Sequence, residues 1–149
     1  MILCTECYIH RGNRVLLMHR TKKQNDINAG KWIGVGGKLM EGESPEECVR
    51  REAMEETGLK LDELSLRGLV SFVYDHAQTV HVFLYTAQSA QGEPIECDEG
   101  DLAWVEEERM GDLEMWAGDR VFLERMKRPG FFEMKLEYEG GQLVKVTQR

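Results

Sequence analysis

The sequence has no long apolar run. Its first twenty residues, MILCTECYIHRGNRVLLMHR, alternate apolar and polar side chains and do not build the continuous hydrophobic region of a secretory signal. No later stretch approaches the roughly 20 apolar residues of a membrane span, and a cytosolic protein without membrane partners is expected. Cysteine is scarce: four in 149 residues are too few for a disulfide scaffold. Cys4 and Cys7 do form a C-x-x-C, but in a strand-like segment their odd spacing sends them to opposite faces, which argues against a shared metal or redox role. Linkers of Pro, Gly and Ser are missing too, so the chain is expected to form one domain over residues 1–149, long enough to bury about two-thirds of its unfolded surface. Positive charge is in short supply. With 19 Lys and Arg against 27 Asp and Glu, the net charge of −8 opposes direct binding to a nucleic-acid backbone. A polyanionic substrate would need metal ions as mediators.

What is present is mostly strand pattern. Residues 2–10 and 14–20 read as strands joined at the turn composition RGN, and 21–31 carry no periodicity and read as a loop. A second antiparallel pair is expected at 64–74 and 79–88 around the polar DHAQ, and a short strand at 102–105 after the acidic loop ECDEGD. DRVFLERMK, 119–127, places Val121, Phe122, Arg125 and Met126 at helical spacings, with Asp119 suited to its N-cap. The tail alternates apolar and polar around Gly140-Gly141, a hairpin signal. Strands with two principal helices predict an α/β sandwich on a mixed sheet.

The remaining helix is chemically unusual. In GGKLMEGESPEECVRREAMEETGL, Ser44 is suited to the N-cap, Pro45 to the first helical position and Glu47 to a reach back to the cap. Gly58 is suited to the left-handed position that ends the helix. Glu52, Glu55 and Glu56 stand at i, i+3 and i+4 and share one face, where like charges repel. A solvated acidic face neutralised by Arg50 and Arg51 is one reading. Against it, the helix lacks a broad apolar stripe, since Met54 points away from Val49 and Ala53. It also follows GVGGK, whose glycines allow tight backbone turns beside a ligand. Hard divalent cations take oxygen donors of these kinds.

Gly37, Glu43, Arg51, Glu52, Glu55, Glu56 and Gly58 stand at the intervals of G-x5-E-x7-R-E-U-x-E-E-x-G-U, U being bulky aliphatic, and the chain thereby resembles the Nudix hydrolases through a box at 37–59. Seven fixed positions match by chance at a given start with probability on the order of 10⁻⁹ to 10⁻⁸, which removes coincidence as a competitor. Ala53 is smaller than the pattern prefers. Thr5, RVLL at 14–17, AGKW at 29–32, Asp98-Glu99, Met115-Trp116 and the terminal hairpin fall in the order seen in MutT-type members, particularly the animal oxidised-purine nucleoside triphosphatases.

The resemblance implies an α/β/α sandwich with the box as a loop-helix-loop. It also implies cleavage of a nucleoside triphosphate to the monophosphate and pyrophosphate. By position, the Gly36 carbonyl, Glu52, Glu55, Glu56 and Glu99 would hold Mg²⁺ or Mn²⁺, Arg51 and Glu43 would brace the box, and Lys38 would add charge at the phosphates. Glu56, Glu52 and Glu99, in that order, are candidates for the proton acceptor. Thr5, Ile33, Trp116 and Asp119 fall on substrate-binding positions, Trp116 where the animal enzymes stack the base. Those enzymes read the purine edge with an asparagine and two aspartates; here Ile33, Gly118 and Asp119 stand at these places. The expectation is a purine triphosphatase with 8-oxo-dGTP the leading substrate, preferred over dGTP less sharply than in those relatives. The competing readings are hydrolysis of a nucleotide sugar, dinucleoside polyphosphate or capped RNA, and a binding module without turnover. Such a module would be expected to lose box residues that are all present.

Overall fold

The computed structural model describes residues 1–22, 25–89 and 91–149. Its elements are β1 (Ile2–Arg11), β2 (Arg14–His19), β3 (Trp32–Ile33), β4 (Val35–Lys38), α1 (Pro45–Thr57), β5 (Asp62–Tyr74), β6 (Gln78–Gln88), β7 (Asp101–Glu106), α2 (Ala117–Met126), β8 (Phe132–Glu139) and β9 (Gln142–Gln148), with a 3₁₀ segment at Glu107–Asp112. The strands form one mixed sheet in the order β3-β2-β1-β6-β5-β8-β9, with β4 on β1 and β7 on β2.

β1 is the spine. It runs parallel to β6 from Ile2 to His10, while its other edge is shared between β4, at Cys4 to Cys7, and β2, at Ile9 to Arg11. Its alternation feeds two separate cores. Cys7 and Ile9 pack with Val49 and Ala53 of α1, whereas Tyr8 packs with Phe122 of α2 and with Phe72, Leu136 and Tyr138. The sheet therefore lies between the two helices, giving the α/β/α layering. Cys4 and Cys7 take opposite faces, as their spacing implies.

α1 starts and stops where its residues dictate. Ser44 accepts from the Glu47 N–H at 3.1 Å, and Glu47 Oε1 accepts from the Ser44 N–H at 3.0 Å, a reciprocal capping box. Gly58 closes the helix at φ 73° and donates to the Met54 carbonyl at 2.9 Å. Ala53 is fully buried and lets the helix sit close on the sheet, and Met54 is half exposed.

Two expectations need correction, and one element is added. GVGGK is not a free glycine loop, because Val35–Lys38 pairs with β1 as a strand. The 3₁₀ turn at Glu107–Asp112 was not foreseen. α2 begins two residues before Asp119, with Trp116 at its cap, so Asp119 lies inside the first turn and makes no capping bond. The helix starts earlier because the Gly118 N–H donates to the Tyr138 hydroxyl at 2.7 Å, which draws the turn onto β8. The unpatterned segment 21–31 is loop and turn where described, residues 23 and 24 lying outside the described residues. Among the described residues no helix is long and apolar enough to cross a membrane.

Ser44→Ala removes the oxygen of the capping box and is expected to cost about 1 kcal/mol. For a chain of this size that lowers Tm by roughly 2–4 °C. Calorimetry showing a change below about 1 °C would mean that α1 is held by packing alone.

Candidate active site

Residues from β1, β4, α1, the 20–34 segment, the loop before β7 and the start of α2 surround one cavity of about 750 Å³, inside the range of ligand sites. One end is acidic. There, Arg51 organises the box: its Nε and Nη2 donate to the two carboxylate oxygens of Glu43 at 2.6 and 3.0 Å, its Nη1 donates to Glu52 Oε1 at 2.9 Å and Glu55 Oε2 at 3.2 Å, and its Nη2 reaches the Lys38 carbonyl at 3.3 Å. The fork geometry of guanidinium allows this number of directed contacts from one side chain. Its hydrogen bonds draw the Glu43 carboxyl down to about 2.

Gly37 matters for the same reason. A Cβ there would lie 2.6 Å from the Glu52 carboxyl carbon, so the Glu52 head group rests where any other residue would place its side chain. At the neighbouring Gly36 a Cβ would meet the Thr5 backbone.

Glu56 is 7% exposed, and its Oε1 has no hydrogen-bond partner among the described residues. Burial, then the Glu52 carboxylate and the charge of Glu99, push its pKa up to about 9, with Arg20 acting the other way. Arg20, itself buried, ties two loops together through Asp26 at 2.7 Å and Glu99 at 3.1 Å. Glu99, far away in sequence, is thus brought to the same end as the box. Neither Arg20 nor Asp26 stood out in the sequence. An arginine ending an apolar strand and an aspartate in a loop carry no local signal of their pairing.

An orphaned buried carboxylate oxygen beside two further carboxyl groups fits a hard divalent cation. Among the described residues no three such side chains converge into a closed ligand set. Arg51 instead holds Glu52 and Glu55.

The other end is aromatic and partly apolar. Trp116 is half-buried, its Nε1 donates to Asn28 Oδ1 at 2.8 Å, and its ring meets Tyr138 and Tyr74 edge-on at 5.4 and 6.3 Å. It serves both as core and as cavity wall. Ile33 and Asp119 line the same space, Asp119 only 3% exposed, and Lys38 lies at the mouth. Thr5 also borders the cavity, but its hydroxyl is 3.3 Å from Cys48 Sγ of α1 and so turns away from the aromatic end. One carboxyl was missed entirely: Glu6, whose Oε1 accepts from the Tyr8 hydroxyl at 2.9 Å and the Gly34 N–H at 3.0 Å.

The chain is similar to known proteins along most of its length. The NUDIX domain model matches residues 4–126. The chain is 32% identical over 143 residues to the oxidized purine nucleoside triphosphate hydrolase of Danio rerio, covering 95% of this chain and 90% of that protein. It is 30% identical over 138 residues to the Mus musculus protein of the same name, covering 89% and 86%. The crystal structure of a mutator MutT protein from Bacillus halodurans superposes with a TM-score of 0.88 at 26% identity, covering 99% of this chain and 97% of that one. The chain belongs to the Nudix family and is a Nudix hydrolase of MutT-like fold.

The Arg51–Glu43 bond has a pH signature. Glu43 ordinarily titrates near 4.5 and is drawn to about 2 in the fold, so its contribution is complete above about 4.5 and disappears as pH falls through about 2. The Tm gap between the parent and Glu43→Gln is expected to be constant near neutrality and to shrink between pH 4.5 and 2. A gap that does not change over that window would show that the carboxylate charge contributes nothing.

Proposed function

We propose that this chain hydrolyses the bond between the α and β phosphates of a purine nucleoside triphosphate, releasing the monophosphate and pyrophosphate, with 8-oxo-dGTP the leading substrate. The reading rests on one observation: a single cavity is lined by Glu52 and Glu99, beside the rest of the box, and by Trp116, and its volume suits a nucleotide. The zebrafish and mouse relatives, named for oxidized purine nucleoside triphosphates, support the substrate class.

Glu52, Glu55, Glu56 and Glu99, with the Gly36 carbonyl, are the groups that would hold Mg²⁺ or Mn²⁺. Once bound, such an ion neutralises phosphate oxygens and lowers the pKa of an attacking water. The protein's own groups do the rest. Lys38 places a charge against the phosphates at the mouth. Arg51 fixes the box through Glu43. Trp116 offers a flat surface to the base, a contact worth roughly 1–3 kcal/mol in nucleic-acid binders. Glu56, Glu52 and Glu99, in that order, are the candidates to take the water's proton, Glu56 once a bound cation has offset the burial and neighbouring charge that favour its protonated form, and a well-placed base contributes about 10²–10⁴-fold.

Pyrophosphate release measured with 8-oxo-dGTP, dGTP, 2-oxo-dATP and dCTP tests the proposal. A purine is expected to win the panel; a pyrimidine winning, or none being cut, would defeat it. Glu56→Gln is expected to lower kcat/KM at least about 100-fold while the fold persists. Excess chelator should abolish turnover. A Glu56→Gln rate within about threefold of the parent, a barrier change under about 0.7 kcal/mol, or turnover surviving chelation, would remove the glutamate cluster from the mechanism.

A further inference from the structure

Glu6 belongs to no part of the box. By strand alternation it shares a face with Cys4 and Tyr8, the α2 side, while Cys7 and Ile9 face α1. It lines the cavity together with Asp119 and Ile33, and its position is set by two protein donors, the Tyr8 hydroxyl and the Gly34 N–H, both on Oε1. Asp119 is buried against the same space, 3% exposed. The nearby cations are engaged elsewhere. Arg120 donates to the Gly111 and Leu113 carbonyls, and Lys31 lies over the Trp116 ring, 3.7 Å from Glu114. Two carboxyl groups that share a cavity are costly to bury unless something hydrogen-bonds to them.

We propose that Glu6 is a specificity-determining residue that, with Asp119, reads a guanine-type base edge, in which a ring N–H and an adjacent amino group stand beside a carbonyl. This rests on the nucleotide reading of the cavity. Carboxylate oxygens accept, and a guanine-type edge is the one that presents two adjacent donors to them. Adenine and cytosine present an amino group beside a bare ring nitrogen, whose lone pair would face the lone pairs of a carboxylate. Burial raises the pKa of both carboxyls and the charge of Glu6 raises that of Asp119 further, while the Gly34 N–H and Tyr8 hydroxyl favour the charged form of Glu6, so Asp119 is the member of the pair able to donate to the carbonyl. Ile33 and Gly118 offer no polar side chain to a base edge, and Glu6 supplies one from β1.

Calorimetric titration of deoxyguanosine and deoxyadenosine monophosphates without metal, into the parent, Glu6→Gln and Glu6→Leu, tests this, with Tm recorded for each protein. The parent is expected to bind the guanine nucleotide at least about tenfold more tightly, and Glu6→Leu to remove most of that ratio. If Glu6→Leu does not fold, the isosteric Glu6→Gln carries the same comparison. A parent that binds both alike or neither, or folded variants that keep the parent's ratio, would overturn the assignment. Binding and hydrolysis separate the two proposals: a parent that discriminates between the monophosphates yet cuts no triphosphate upholds Glu6 as a reader and defeats the hydrolysis.

Discussion

One guanidinium holds the acidic end of this protein together. Arg51 contacts Glu43 in the loop, Glu52 and Glu55 on its own helix, and the Lys38 carbonyl at the end of β4. Without it, carboxylates three and four residues apart would repel one another on a helix with little apolar surface to compensate. The side chain is partly open to solvent, so its weight lies less in gross energy than in geometry. Two parallel bonds to Glu43 define the guanidinium plane, and that plane then positions Glu52 above Gly37, where only a residue without Cβ leaves room. The box spacing is the sequence image of this packing.

The second constraint is the alternation of β1. Because successive residues face opposite layers, the same ten-residue strand supports α1 with Cys7 and Ile9 and contributes Glu6 and Tyr8 to the α2 side. β4, laid along the front half of β1, carries Gly36 and Gly37 into the cavity. Parts of the acidic end and of the aromatic end are thus built from neighbouring positions on two paired strands. A one-residue slip between them would exchange which side chains face the cavity. The nine-residue parallel ladder with β6 secures that register from the other edge.

Much of this was legible beforehand, for identifiable reasons. α1 is specified by short-range chemistry, a serine cap, a proline, a reciprocal glutamate and a left-handed glycine, and it forms within a residue of its expected limits. The hairpins followed from alternation and turn composition. Asp119 was misread because its residue type favours caps, whereas the bond from the Gly118 N–H to the Tyr138 hydroxyl starts the helix earlier. β3 and β4 were hidden by their shortness and glycine content, since their strand character comes from pairing with β1 and β2 rather than from their own side chains.

The sequence by itself determined the family and the charged set of the box, because those residues lie within 23 positions and their helical spacing already places them on one face. It also determined the sandwich, through the order and patterning of its strands. Only the tertiary structure decided which distant groups join the box. Arg20 reaches across to Glu99, Glu56 is buried with an oxygen left unpartnered, and Glu6 and Asp119, 113 positions apart, come to line one cavity. Such pairings depend on how β1, the 20–34 segment and the start of α2 converge on that cavity. No local pattern records that convergence.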